Sequence, residues 1–351
     1  MRRGLRARPW VGLDIGRFSV KVVASSPAVG GPQLRRAEIS LPADGGSDAP
    51  PAPDLIARAI ADAFAAINLS VRNVRGITLG ISGADVIVKQ IQLPYLTDDE
   101  VGPALRFEAR KHLPFDLQSM TIDFQILGRS MSEKRLDVLL AAVSHDRLQK
   151  QLAPLKSLGV DPDIVDAAPL ALTNGILTAL GSDREPVALL DFGFSSSHLM
   201  LYQKGEPYFS RRLDFGGRTL TQAIASGTRV PYEEAEEWKL SAGSDQPGFR
   251  VDWHSAEMEA IHDSLRRELV DDLRRSFAFY GTLGQLPENM RLWISGSTAR
   301  LPGLSIRLGD LLGLPVALFN PLERGGTAPD GEIVSTGPQF ALAYGLSTRT
   351  A

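Results

Sequence analysis

The sequence predicts an α/β protein of two related α/β domains on either side of a cleft, with a small βαββα unit inserted in the first. Three observations predict it. Apolar runs of strand length alternate with segments of helical period along the whole chain. A strand–turn–strand unit at residues 11–23 recurs at residues 187–202, so the architecture is built twice. Residues 85–162 carry a βαββα pattern of their own. A length of 351 residues accommodates about two domains.

The first half opens on residues 11–23, VGLDIGRFSVKVV. Val11, Leu13 and Ile15 alternate with Gly12 and Asp14, residues 16–19 turn the chain, and Val20, Val22 and Val23 resume it. Period-two spacing broken by a glycine is a hairpin signal. Residues 33–40 supply a third strand, and residues 41–54, rich in Pro, Gly and Asp, form a loop. Ile56, Ile60, Phe64 and Ile67 lie at helical spacing, with Asp54 as the expected N-cap. Residues 77–81 are a buried strand.

In the inserted unit, residues 86–93 alternate, Thr97 caps a helix over 98–113, and Pro114 ends it. That helix is acidic at its start and basic at its end, which suits its dipole. Strands follow at 122–127 and 136–143, then a helix at 146–158. A short strand at 164–166 and a helix at 169–180 return to the first half. The second half reads as strands at 187–191, 197–203 and 206–214, with a turn at Lys204-Gly205. Helices follow at 216–226, 232–240 and 253–283. In the last of these, Ile261, Leu265, Leu269, Leu273 and Phe277 recur at four-residue steps. The chain then carries a strand at 291–295, a helix at 304–312, a strand at 316–318, a Gly-rich loop at 323–331 and a helix at 340–346. The expected domains are 1–84 with 163–185, the insertion 85–162, and 186–231 with 284–351, with 232–283 as a helical subdomain of the second.

Composition bounds the function. The hydrophobic fraction is 43% and the net charge −3, which gives no global pull toward nucleic acid. The absence of cysteine excludes disulfides and thiolate metal sites. The basic start, with Arg2, Arg3, Arg6 and Arg8, precedes no apolar core of signal-peptide length, and no window reaches the ~18 apolar residues of a membrane span. The expectation is a soluble, cytoplasmic protein.

Three turns carry the chemistry, each directly after a buried strand, where α/β folds place ligands. The first runs from Asp14 to Lys21, with Gly16 and Ser19. The second holds Asp191, Gly193, Ser195 and Ser196. The third holds Ser295, Gly296, Ser297 and Arg300. Asp14 is a carboxylate inside an apolar strand, which is costly unless it faces a cation or water. Two aspartates on facing strands suit Mg²⁺, and small turn residues let backbone N–H groups reach phosphate. Neither the P-loop nor the dinucleotide glycine pattern is present.

This ordered set of turns resembles the actin-like ATPase superfamily, and within it the PilM family of type IV pilus assembly. Further stretches carry the likeness, including residues 82–94, 112–115, 122–125, 139–143, 165–172 and 340–346. The resemblance implies ATP with Mg²⁺ as ligands. Asp14 and Asp191 would hold the metal through water, and Gly16, Ser19, Lys21, Gly193, Ser195 and Ser196 would bind phosphates. Gly296, Ser297 and Arg300 would line the adenosine pocket. Glu236 and Lys239 match the E-x-x-K pair that reaches the nucleoside, although an exposed helix salt bridge explains them equally. The implied partner is a PilN-like inner-membrane protein, docked by its cytoplasmic N-terminal peptide beside the insertion. Membrane contact would come only through that partner, nucleic acid is not expected, and self-association stays open.

Two departures matter. Ser297 stands where the adenosine motif has a second glycine. In hydrolytic relatives a carboxylate just before a proline orients the attacking water. Here Ala167 and Ala168 precede Pro169, and Asp166 is the nearest catalytic candidate, one position early. The expectation is nucleotide binding with at most slow ATP hydrolysis. The alternatives are an active ATPase or kinase-like enzyme of the same superfamily, or a type II secretion or FtsA-like scaffold.

Overall fold

The computed structural model describes residues 8–27, 32–42, 51–113, 116–180, 187–203, 206–242, 252, 254–283, 290–323 and 337–349. The expectations for residues 1–7, Pro114, the Lys204-Gly205 turn, Trp253 and the loop segments 43–50, 243–248 and 324–331 lie outside them.

The first half begins with β1 (Trp10–Ile15), β2 (Ser19–Ser26) and β3 (Gln33–Ser40), an antiparallel meander that places Leu13 opposite Val22 and Val22 opposite Ala37. Next comes α1 (Pro53–Ala66). Its first helical residue is Pro53 and its cap position is Ala52, so Asp54 lies in the first turn and is not the N-cap. Proline at that position has its φ preset and lacks an N–H that would be unsatisfied anyway. Ile56, Ile60 and Phe64 pack with Leu13, Val22 and Leu79 of the sheet, Leu79 coming from β4 (Gly76–Ile81).

The insertion contains β5 (Val86–Pro94), α2 (Asp98–His112), β6 (Met120–Ser130), β7 (Arg135–Ser144) and α3 (His145–Ser157). Its sheet has the order β5-β7-β6, antiparallel throughout. Val101, Leu105 and Ala109 recur every four residues on α2 and pack on Leu136, Val138 and Leu140. The Glu100 carboxylate accepts from the Thr97 backbone N–H at 2.9 Å and from its hydroxyl at 2.8 Å, which fixes the start of α2. Helix α3 completes the βαββα pattern, but its Leu155 is buried in the α1 core.

The chain returns through β8 (Ile164–Ala167) to α4 (Ala168–Leu180). The second half follows with β9 (Val187–Phe192), β10 (Ser197–Gln203), β11 (Glu206–Leu213), α5 (Gly217–Thr228) and α6 (Tyr232–Ala242). After α7 (Ala256–Ser264), a π-helical segment, Leu265–Val270, leads into α8 (Asp271–Leu283). The last elements are β12 (Arg291–Ser295), α9 (Leu304–Leu312), β13 (Val316–Leu318) and α10 (Ala341–Thr348).

The two large sheets have matching topology: β3-β2-β1-β4-β8 in the first half and β11-β10-β9-β12-β13 in the second. The sequence predicts one continuous helix through residue 283, whereas the structure widens it for six residues. Four-residue steps overshoot the 3.6-residue turn, so the apolar row would wind off the core; a wider π turn brings it back. All five residues of the row are buried.

The last helix of each half covers the other half's sheet. Leu172 and Ile176 of α4 pack with Leu189, Met200 and Trp293 of the second sheet. Ala343 and Tyr344 of α10 pack with Val23 of the first. The two helices cross at Gly175 and Gly345. A Cβ on Gly345 would lie 1.9 Å from the Ala171 carbonyl oxygen, so only glycine permits the crossing.

Candidate functional site

The hairpin turns after β1 and β9 have the same construction. Gly16 N–H donates to the Ser19 carbonyl at 2.9 Å, and Gly193 N–H to the Ser196 carbonyl at 3.1 Å. The turns meet across the cleft: the rings of Phe18 and Phe194 stand edge to face with centroids 4.3 Å apart. The N-terminus of α5 points at the second turn. There Gly217 N–H donates to the Gly193 carbonyl at 3.0 Å and Arg218 N–H to the Phe194 carbonyl at 2.9 Å. Ser195 is exposed and Ser196 half-buried.

The charge of Asp14 reaches Asp191. Asp14 keeps some surface toward the cleft, yet the surrounding protein desolvates it, which raises its pKa. Lys21 lowers it in part, and Glu38 adds to the rise. Burial also pushes Asp191 up, to about 6. The Ser295 hydroxyl, donating at 2.7 Å, pulls it down, the charge of Asp14 raises it, and Lys21 lowers it. Lys21 is opposite Asp14 in the β1–β2 register and is itself buried. Its Nζ lies 3.6 Å from the carboxylate of Glu38, its register partner on β3. Glu38 also accepts from the Ser19 hydroxyl at 2.8 Å and from Gln339 Nε2 at 3.4 Å. The cleft floor thus sets three carboxylates against one lysine.

That donor set fits a hard divalent cation. Asp14 and Asp191, both with raised pKa values, would be relieved by one, and among the described residues no group of three acids or histidines is arranged to hold a metal by itself. A metal held here would take its remaining oxygens from water and phosphate, the manner Mg²⁺ favours.

The third turn contributes Gly296, held at φ +90°, where a Cβ would lie 2.2 Å from the Phe192 carbonyl oxygen. Gly296 N–H donates to the Pro338 carbonyl at 3.1 Å. Ser297 is exposed and Arg300 half-buried beside it. Glu236 and Lys239 form an inward-facing pair, not an exposed surface bridge. Lys239 Nζ donates to Glu236 at 2.7 Å, to the Thr221 hydroxyl at 2.7 Å and to the Gly217 carbonyl at 3.0 Å. Burial lowers its pKa, and the Glu236 charge opposes that. A Cβ on Gly217 would lie 2.9 Å from the Thr298 hydroxyl and 3.4 Å from Lys239 Nζ, so this pair and the third turn border one space.

Asp166 lies apart from this group. It is buried, its nearest cation is Arg349 at 3.7 Å, and its charge acts on Tyr202. Burial raises its pKa, Arg349 and the Ala167 N–H lower it, and neither cleft aspartate perturbs it. Sequence reasoning missed Glu38, Gln339, Thr221 and His198. His198 pairs in register with Asp191, and burial lowers its pKa to about 4 with help from Arg212, so it is neutral at physiological pH. Two of these were legible: Lys21 and Glu38 are opposite charges on consecutive strands, and His198 falls where β10 must pass Asp191.

Comparison with known proteins now decides the family. The sequence family of the type IV pilus assembly protein PilM matches residues 12–351. This chain belongs to that family. The PilM–PilN type IV pilus biogenesis complex has a chain that superimposes with a TM-score of 0.76 at 27% identity, covering 98% of each chain. The ethanolamine utilization protein EutJ from Carboxydothermus hydrogenoformans shares the fold at 14% identity, with a TM-score of 0.55 over 97% of this chain and 89% of that one. The architecture is the actin-like ATPase fold. The cell division protein FtsA of Staphylococcus epidermidis is 22% identical over 209 residues, 56% of this chain and 45% of that protein. The chain thus spans about half the length of the FtsA relatives it matches. Among the described residues no helix is long and apolar enough to cross a membrane.

Proposed function

We propose that this member of the PilM family is an ATP- and Mg²⁺-binding scaffold of type IV pilus assembly, cytoplasmic and held at the inner membrane by a PilN-like protein. One observation carries the nucleotide reading. Asp14, Asp191 and Lys21 interact between two matching glycine turns, and the two acids hold raised pKa values that a cation would relieve. Bound Mg²⁺ would neutralise phosphate charge. The residues would divide the remaining work. Asp14 and Asp191 would hold the metal through its waters, with the Ser295 hydroxyl already fixing the Asp191 carboxylate. Lys21 and the turns that hold Gly16, Ser19, Gly193, Ser195 and Ser196 would receive the phosphates, with the N–H groups of Gly16 and Gly193 already closing the turns. Gly296, Ser297, Arg300 and the Glu236–Lys239 pair border the nucleoside. Asp166 lies 3.7 Å from Arg349 and one position too early before Pro169 to match the hydrolytic pattern, and on that ground turnover is slow at most. The partner reading rests on the PilM–PilN likeness over the whole chain, and the docked segment would be the partner's cytoplasmic N-terminus.

Titration with ATP and Mg²⁺ tests the site. The parent binds, while Asp14→Ala and Lys21→Ala lose most affinity; equal affinity in all three would refute the assignment. Phosphate release at about 1 s⁻¹ or faster contradicts the scaffold reading. Failure of a partner N-terminal peptide to bind the intact chain removes the docking claim.

A further inference from the structure

The outer crest of α2 carries an exposed aromatic among basic residues. Val101, Leu105 and Ala109 turn inward. Phe107 faces away from them and is 67% exposed. Arg106, Arg110 and Lys111 surround it, all exposed. Lys111 Nζ lies 5.9 Å from the centroid of the Phe107 ring and pairs with Glu108 at 2.8 Å. Arg106 and Arg110 make no ion pair or hydrogen bond with any described residue. The acids Asp98, Asp99 and Glu100 stay in the first turn, so the basic character is confined to the last two.

We infer that this crest is a peripheral contact for anionic lipid headgroups, made while the chain is held at the membrane by its partner. The setting rests on the function proposed above; the chemistry does not. An exposed aromatic ring beside Arg106, Arg110 and Lys111 matches a surface that is negatively charged outside and apolar beneath. The shape also favours lipid over a protein partner. A protein hot spot is walled off from water by the contacts around it, whereas here Phe107 and the three cations are all open to solvent, which suits a fluid charged plane. The contact is weak alone. Each Lys or Arg near an anionic surface raises partitioning about fivefold, and partial burial of one ring adds about tenfold. The total, roughly a thousandfold, stays below that of a single myristoyl chain, which binds only reversibly. It acts as the second of two membrane signals.

The test uses the full chain and vesicles of phosphatidylglycerol with phosphatidylcholine, against phosphatidylcholine alone, read by co-sedimentation at low and high salt. The chain sediments with the anionic vesicles only, and salt releases it. Arg106→Gln with Arg110→Gln lowers partitioning about 25-fold, and Phe107→Ser about tenfold, with thermal unfolding unchanged because all three side chains are exposed. No sedimentation with anionic vesicles, or equal sedimentation of parent and variants, overturns the inference. So does binding of poly-glutamate with the same variant sensitivity but no vesicle binding, which assigns the crest to an acidic protein. The nucleotide titration and the partner-peptide assay use the parent chain and no vesicles, so the two proposals fail separately.

Discussion

Replacing Asp191 by asparagine should stabilise the nucleotide-free protein while removing its response to nucleotide. Its folded pKa is about 6 against an ordinary 3.8. Below 3.8 the carboxyl is protonated in both states and costs nothing. Between 3.8 and 6 the unfolded chain gives up the proton that the folded chain retains, so stability falls as pH rises. Above 6 the cost is complete. About two pH units at about 1.4 kcal/mol each set an upper bound of about 3 kcal/mol, less what water in the cleft screens. Asparagine preserves the acceptor for the Ser295 hydroxyl and removes the repulsion from Asp14. Thermal unfolding of parent and Asp191→Asn should therefore show the variant melting several degrees higher at pH 8, with the gap closing near pH 4. Added ATP and Mg²⁺ should raise the parent's midpoint, since a ligand at 100 times its Kd contributes about 2.7 kcal/mol, and leave the variant's unchanged. A variant that melts lower than the parent at pH 8, or a gap independent of pH, would refute the account of Asp191 as a destabilised acid awaiting a cation.

Ser297→Gly should tighten ATP binding several-fold by opening the adenosine side, measured by titration; weaker binding would place Ser297 among the ligand's hydrogen-bond partners. A double-mutant cycle of Phe18→Ala and Phe194→Ala, read by urea unfolding, should give a coupling of about 0.5–1.5 kcal/mol, and additivity would mean that the turns do not touch in solution. Gly345→Val should cost at least about 3 kcal/mol or prevent folding, because its Cβ would meet backbone and not a movable side chain; a soluble variant with an unchanged urea midpoint would contradict the crossing. Lys239→Ala should lower the melting temperature without nucleotide, since it strips a donor from both Glu236 and the Gly217 carbonyl.

Much of this was legible where the signal is local. Alternation in residues 11–23, its repeat at 187–202 and the βαββα run need only neighbouring residues to be read, and the strands fall where the pattern puts them. Helix ends were less legible. Pro53 in place of a cap and the π segment at 265–270 depend on how a turn meets the core, although the strict four-residue row already hinted at the second. The site was legible as three turns but not as a set of partners. That Glu38 holds Lys21, that Ser295 holds Asp191 and that Arg349 holds Asp166 are facts of strand register and long-range packing. Asp166 is a candidate by its place before Pro169, and only the fold shows which cation it faces.

The exchanged helices α4 and α10 bear on how the chain can be divided. Each half is roofed by a helix that the other half supplies, so a chain cut between α4 and β9 would yield two pieces, each exposing the apolar face that its absent roof should shield. Neither piece would be a module that evolution could lend to another protein on its own.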